Sequence, residues 1–262
     1  MSTTDWTASV EQLARTERLL VALDFDGTLA LLQDEPMAVR ALPETAAAVA
    51  RLVELPDTVV AFVSGRQLVD LRVIGEHDDA SRVWLAGSHG VEFWRPEGVA
   101  AVEAEDAPAP APPAADPADL QARARAAVAH VEGAWIEAKA FGFALHTRLV
   151  APEDVESTRA AVDALMAREA PEWRRRRGHG VVEYAWRHEG KDAAVARLRA
   201  ETRATAVLFA GDDVTDEDAL RSLGEGDLGV RVGEGETAAR VRVADPLELA
   251  ELLTALADAR AS

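Results

Sequence analysis

The chain has 262 residues, 48% of them hydrophobic, no cysteine and a formal charge of -18. That length holds one large domain or two modest ones, the apolar share argues against disorder, and the missing thiols exclude disulfides and thiolate metal sites. The negative surface repels nucleic acid and anionic lipid; with no apolar run near membrane-span length and no signal-peptide pattern in Met1–Glu17, a soluble cytoplasmic protein is expected.

The first third alternates strands and helices. Residues 18–24 read as a buried strand, whose apolar run Leu19–Leu23 stops at Asp24-Phe25-Asp26-Gly27-Thr28. Two adjacent carboxylates repel and lose solvation, so they call for a cation or a shared proton. The competing reading is an ordinary Asx-rich turn. A helix is expected over 43–55, with Pro43 in its first turn, then a buried strand over 58–63. That strand runs into Ser64-Gly65-Arg66, where Ser64 suits either a phosphate oxygen or a plain helix N-cap, and a helix follows through Ile74. A short strand over 83–86 ends at Gly87-Ser88-His89-Gly90. This alternation implies a parallel sheet with right-handed crossovers.

The pattern changes at 107–119, where the run APAPAPPAADPAD reads as a loop or semi-rigid connector because its prolines oppose helix and ladder alike. Two helix-strand-strand cycles come next. The first has a helix over 120–131 and strands over 135–139 and 143–149, joined by a turn at 140–142. The second has a helix over 152–168 and strands over 173–177 and 181–185 around Gly178-His179-Gly180. They predict a small α+β unit with an antiparallel sheet, in which Trp135 and Phe143 fill the core. Of the run Arg174–Arg177, at most two side chains can share one face of a strand.

The α/β rhythm then resumes. Lys191 opens a helix, although a cation there opposes the helix dipole. Only Lys139 and Lys191 among the 28 basic residues are lysines, and each is read either as a placed ammonium or as a solvated surface residue. A strand over 205–210 ends in Gly211-Asp212-Asp213, Thr215-x-x-Asp218 reads as a capping box, and a strand over 227–232 and a helix over 247–259 close the chain. Acidic clusters at such an edge suit Mg²⁺, or else complement a helix N-terminus.

Taken together, the stations read as phosphoryl-transfer chemistry. Asp24 is the expected nucleophile, and Asp26 the acid that protonates the leaving oxygen and later activates water. Thr28, Ser64 and Lys191 are expected on the phosphoryl oxygens, and Asp24, Asp26, Asp212 and Asp213 on Mg²⁺.

The motifs DFDGT, SGR, the isolated lysine and GDDVTDED resemble those of haloacid-dehalogenase-superfamily phosphatases. Gly87–Gly90 with Glu92, Glu137-x-Lys139, His146-x-Arg148 and Gly180–Glu183 resemble the trehalose-6-phosphate phosphatase family. The resemblance implies an α/β fold: a Rossmann-like core with a parallel sheet, over 1–103 and 188–262, and an inserted α+β cap of the C2 type, over 104–187, that supplies the sugar contacts. It implies substrate contacts from Arg66, His89, Glu137, Lys139, His146, Arg148 and Glu183, and Mg²⁺-dependent hydrolysis of trehalose 6-phosphate through an aspartyl phosphate. It also implies functional coupling to a trehalose-6-phosphate synthase. Three positions depart from the family pattern: Tyr184-Ala185-Trp186-Arg187 after the cap glutamate, Asp192 after the motif lysine, and Leu31 after the first motif. The alternatives are phosphatases of sucrose phosphate, mannosylphosphoglycerate or a hexose phosphate, a phosphomutase, and a non-catalytic sugar-phosphate sensor. Glu137 with Lys139 also reads as a plain i, i+2 salt bridge on a solvated strand.

Overall fold

The structure, a computed structural model, describes residues 5–98, 115–139, 141–178 and 180–262. Its elements in chain order are α1 (Thr7–Ala14), β1 (Leu19–Leu23), α2 (Pro43–Glu54), β2 (Thr58–Val63), α3 (Leu68–Ile74), β3 (Trp84–Gly87), β4 (Glu92–Trp94), α4 (Pro117–Val128), β5 (Trp135–Lys139), β6 (Gly142–His146), α5 (Val155–Glu169), β7 (Arg174–Gly178), β8 (Val181–Ala185), α6 (Lys191–Thr202), β9 (Ala206–Gly211), α7 (Glu217–Ser222), β10 (Leu228–Val232), β11 (Val241–Val243) and α8 (Pro246–Ala261). The chain packs as two units, Met1–Glu105 with Glu189–Ser262, and Asp106–His188. Among the described residues no helix is long and apolar enough to cross a membrane.

In the first unit, the order is β11-β10-β9-β1-β2-β3-β4, parallel except for the β3–β4 hairpin. β1 is central, and all five of its residues are fully buried. Leu19, Val21 and Leu23 pack with residues of α1, α2 and α8. Leu20 and Ala22 pack on the opposite face with residues of α6 and α7. Covering both faces is what makes a parallel strand read as an unbroken apolar run. The chain leaves β1 toward β2 on one side and pairs it with β9 on the other, so the C-terminal end of β1 lies where the strand order reverses. Ligands bind at such crevices in open α/β sheets.

In the second unit, an antiparallel sheet of order β5-β6-β8-β7 packs one face on helices α4 and α5. Ile136, Phe143, Leu145, Val182 and Tyr184 face inward. Glu137, Ala144, Glu183 and Arg176 pair across the sheet in one row, and so stand together on the other face.

Some expectations are corrected. α1, β4 and β11 were not anticipated; the two strands are only three residues long. Residues 107–114 of the proline-rich connector lie outside the described residues, as do Ala140 and His179 in the two predicted turns. Pro117 starts α4 instead of breaking it: it occupies the first turn, where no amide hydrogen is needed, and Asp116 caps the helix by accepting from the Ala118 N–H. The capping box sits two residues earlier than expected, at Asp213 and Asp216, and opens a 3₁₀ turn before α7.

Candidate active site

Asp24 continues directly from β1, and its amide donates to the carbonyl of Ala210 in β9. Asp212 follows β9, so the parallel β1–β9 pair carries both carboxylates to one sheet edge. Oxygens of Asp24, Asp212 and Asp216 all lie within 4.8 Å of one another. Gly27 makes this approach possible: it has φ +79°, and a Cβ there would sit 2.1 Å from Asp212 Oδ2. Only glycine fits both the conformation and the space.

Lys191, the first residue of α6, reaches into the cluster. Its Nζ is 2.7 Å from Asp24 Oδ1 and 2.6 Å from Asp216 Oδ1, and it is 2% exposed. Burial alone would push the ammonium down, but Asp216 and Asp24 more than offset that and raise its pKa. Burial raises Asp24 well above the usual carboxylate range against the pull of Lys191, with Asp216 and Asp212 adding to the rise. Burial and then Asp216 push Asp212 up to about 6. Three carboxylates around one ammonium carry an excess of negative charge, and such a site holds a proton or takes a cation.

The donors differ in what they leave free. Asp216 is fully engaged: Oδ1 meets Lys191, and Oδ2 accepts from the backbone N–H of Asp212 at 3.1 Å and of Asp213 at 2.9 Å. Asp212 Oδ1 accepts from the buried Thr28 hydroxyl at 3.2 Å. All the donors are hard oxygens, which fit a divalent cation such as Mg²⁺. Asp24 and Asp212 are the carboxylates placed to share it, while Asp216 orients the loop and the lysine.

Two carboxylates from the expected ligand set stand apart from this cluster. Asp26 faces Arg66 in a two-pronged ion pair, with Nε–Oδ2 and Nη2–Oδ1 both 2.6 Å. Asp213 Oδ1 accepts from the Val214 N–H at the start of the 3₁₀ turn. The sequence marks all four aspartates alike as acidic residues ending strands; only the fold separates their partners.

Ser64 is buried beside this edge, but it does not cap α3, whose N-cap is Gln67. Its Oγ accepts from the Arg66 N–H at 3.2 Å and steadies the SGR turn. His89 lies against that turn: a Cβ on Gly65 would come within 2.6 Å of its Cε1. Ser88 and His89 adopt left-handed backbone conformations, φ 48° and 56°. Glu92 ties this hairpin to α3 by accepting from Ser88 Oγ at 2.5 Å and the Leu68 N–H at 3.2 Å.

Behind the acidic loop lies Arg231, which no sequence signal singled out. It is 7% exposed and donates from Nη1 to the Asp213 carbonyl at 3.0 Å and from Nη2 to the Glu234 carbonyl at 2.8 Å. It thereby pins the loop that carries Asp212 and Asp216.

In the second unit, the expected residues share one face. Glu137 accepts from Lys139 Nζ at Oε1 (2.7 Å) and lies 2.8 Å at Oε2 from His146 Nε2. The His146 hydrogen bond is the largest influence on the Glu137 carboxyl; despite opposition from burial, it and Lys139 lower its pKa to about 2. Glu183 stands in the same row of the sheet, and Arg148 lies in the turn beyond β6, beside Gly180. Phe143 is fully buried, as expected. Trp135 is not: it is 42% exposed, because the alternation that turns Ile136 inward turns Trp135 out with Glu137 and Lys139.

The model of the trehalose-phosphatase family matches residues 22–249. The chain belongs to this family. A trehalose-phosphate phosphatase of Mycobacterium marinum is 34% identical over 253 residues, which are 92% of this chain and 62% of that protein. The chain thus spans about three fifths of the length of the curated relatives it matches. Among solved structures, the C-terminal domain of the C. albicans trehalose-6-phosphate phosphatase superposes with a TM-score of 0.78 at 20% identity, covering 98% of this chain and 97% of that one. A haloacid-dehalogenase-like hydrolase from B. subtilis superposes with a TM-score of 0.55 at 14% identity, covering 89% and 98%. The fold is that of the haloacid dehalogenase superfamily, with a mostly parallel sheet and a separate α+β unit.

Proposed function

We propose that the chain is a Mg²⁺-dependent phosphomonoesterase that converts trehalose 6-phosphate to trehalose and phosphate. The observation that carries this reading is the meeting of Asp24, Asp212, Asp216 and Lys191 at one sheet edge. The seven-stranded unit would carry the phosphoryl chemistry and the four-stranded unit the sugar contacts.

Lys191 engages Asp24 Oδ1, which leaves Oδ2 as the attacking atom. Attack on phosphorus forms the Oδ2–P bond and breaks the bond from phosphorus to the sugar O6. The Asp26 carboxyl delivers a proton to that oxygen as it leaves. In the free chain Asp26 is paired with Arg66. Phosphoryl oxygens compete for the same guanidinium, so an arriving substrate draws Arg66 toward itself and releases the Asp26 carboxylate, which takes up from solvent or from the substrate's monoanionic phosphate the proton that it then delivers. Water, deprotonated by Asp26, then attacks phosphorus, breaks the aspartyl P–O bond and frees phosphate. Thr28 and Ser64 supply buried hydroxyls beside these atoms. When bound, Mg²⁺ supplies positive charge to the phosphoryl oxygens and relieves the repulsion among the carboxylates. Asp24 and Asp212 would hold it.

The test is phosphate release from trehalose 6-phosphate, sucrose 6-phosphate, mannosylphosphoglycerate and glucose 6-phosphate, each with Mg²⁺ and with chelator. A preference for trehalose 6-phosphate that chelator removes is expected. Release from another sugar phosphate alone overturns the substrate, and an isomerised sugar phosphate without free phosphate indicates a mutase. Binding without turnover indicates a sensor.

A further inference from the structure

Trp135, expected in the core, stands 42% exposed instead, and it belongs to none of the motifs above. A lone exposed aromatic residue needs no explanation. Its relation to His146 does. The two residues are directly paired across β5 and β6, and their rings stack with centroids 4.3 Å apart and planes 1° from parallel. The imidazole so held is the one whose Nε2 meets Glu137 Oε2 at 2.8 Å. A carboxylate only accepts, so Nε2 is the donor. Torsion about the Cβ–Cγ bond of histidine is broad. Only a fixed ring plane keeps Nε2 on the carboxylate.

Glu137 has about four acceptor positions as a carboxylate. Lys139 takes one on Oε1 and His146 one on Oε2, leaving acceptor capacity on each oxygen. The side chain is 42% exposed, so that capacity is accessible. Two adjacent acceptor oxygens of fixed orientation match two vicinal hydroxyls of a pyranose.

We propose that Trp135 is a positioning residue: by stacking on His146 it fixes Glu137 as a preorganised acceptor for a vicinal diol of the sugar. This rests on the sugar-phosphate reading above. Preorganisation acts on binding rather than on the phosphoryl step. The stacking of an aromatic pair corresponds to a factor of roughly two- to twelvefold in an equilibrium constant. Trp135→Leu is therefore expected to raise KM for trehalose 6-phosphate by about that factor, with kcat nearly unchanged. Trp135→Phe, which retains a stacking ring, restores most of the loss.

The experiment uses the full chain and two esters, trehalose 6-phosphate and p-nitrophenyl phosphate, which has no diol. The ratio of kcat/KM for the two is expected to fall in Trp135→Leu and recover in Trp135→Phe. The ring protons of His146 are expected to move downfield in the NMR spectrum of Trp135→Leu as the indole ring current is lost. An unchanged ratio in Trp135→Leu, or Trp135→Phe as damaging as Trp135→Leu, overturns the inference. A wild-type chain that hydrolyses p-nitrophenyl phosphate but not trehalose 6-phosphate overturns the substrate reading as well, so the two failures are distinguishable.

Discussion

The chain's two lysines serve opposite designs. Lys191 is sealed between Asp24 and Asp216 at the edge of a sheet buried on both sides, with its side chain 3% exposed. Lys139 lies on the face of a four-stranded sheet opposite its helices, with its side chain 27% exposed, against one carboxylate. In the first setting, charges are held by backbone amides and neighbouring strand ends. Their energies are large because little water screens them. In the second, side chains hold one another, and screening keeps each contact modest. Chemistry that must move a phosphoryl group calls for the former. Recognition of a polyol, which exchanges hydrogen bonds with water, is served by the latter.

The contrast can be broken most sharply at Asp24. Asp24→Asn is expected to lower phosphate release by at least roughly 10⁴-fold while the fold persists, measured by kinetics and circular dichroism. Normal turnover in that variant would remove the nucleophile from the mechanism. Lys191→Met is next: it leaves two carboxylates buried without their cation, and is expected to cost about 3–5 kcal/mol in a urea titration. A loss below ~1 kcal/mol would mean that the site is wetter than its burial indicates. Glu137→Gln is expected to raise KM for trehalose 6-phosphate roughly tenfold or more with little change in kcat. A fall in kcat instead would tie the four-stranded unit to the phosphoryl step.

The smallest effect expected is on stability against pH. The folded pKa of Glu137 is depressed to about 2. Its stabilising contribution is therefore complete above the ordinary range near 4.5 and is lost as pH falls through about 2. With this side chain 42% exposed, the contribution is expected to stay below about 1 kcal/mol. The Glu137 carboxyl carbon, followed by NMR, should titrate with a midpoint near 2; a midpoint near 4.5 would dissolve the Lys139–Glu137–His146 arrangement.

β1 and β2 were readable because burial on both faces leaves no polar interruption, and β5 and β8 because one packed face imposes alternation: β2, β5 and β8 begin and end where predicted, and β1 within a residue. The short edge strands β4 and β11 escaped because three residues carry too little periodicity. That Asp24 and Asp212 end neighbouring strands could be anticipated from two apolar runs closing in aspartate. Which acid partners Lys191 could not, because Asp216 reaches it only after the chain turns through a 3₁₀ segment. Trp135 was legible in principle: the same alternation that buries Ile136 turns its neighbour outward. Arg231 was not, because a lone arginine at a strand end carries no periodic mark.

The pairing of Glu137, Ala144, Glu183 and Arg176 in one transverse row has a consequence for how such a sheet changes over generations. Substitutions at every second position redecorate the exposed surface without disturbing the packed one. An inserted residue within a strand exchanges the two surfaces and ruins both. Ligand preference can therefore drift by point replacement while strand length stays locked, and a designer seeking a new sugar has a choice of side chains on one face but no freedom of register.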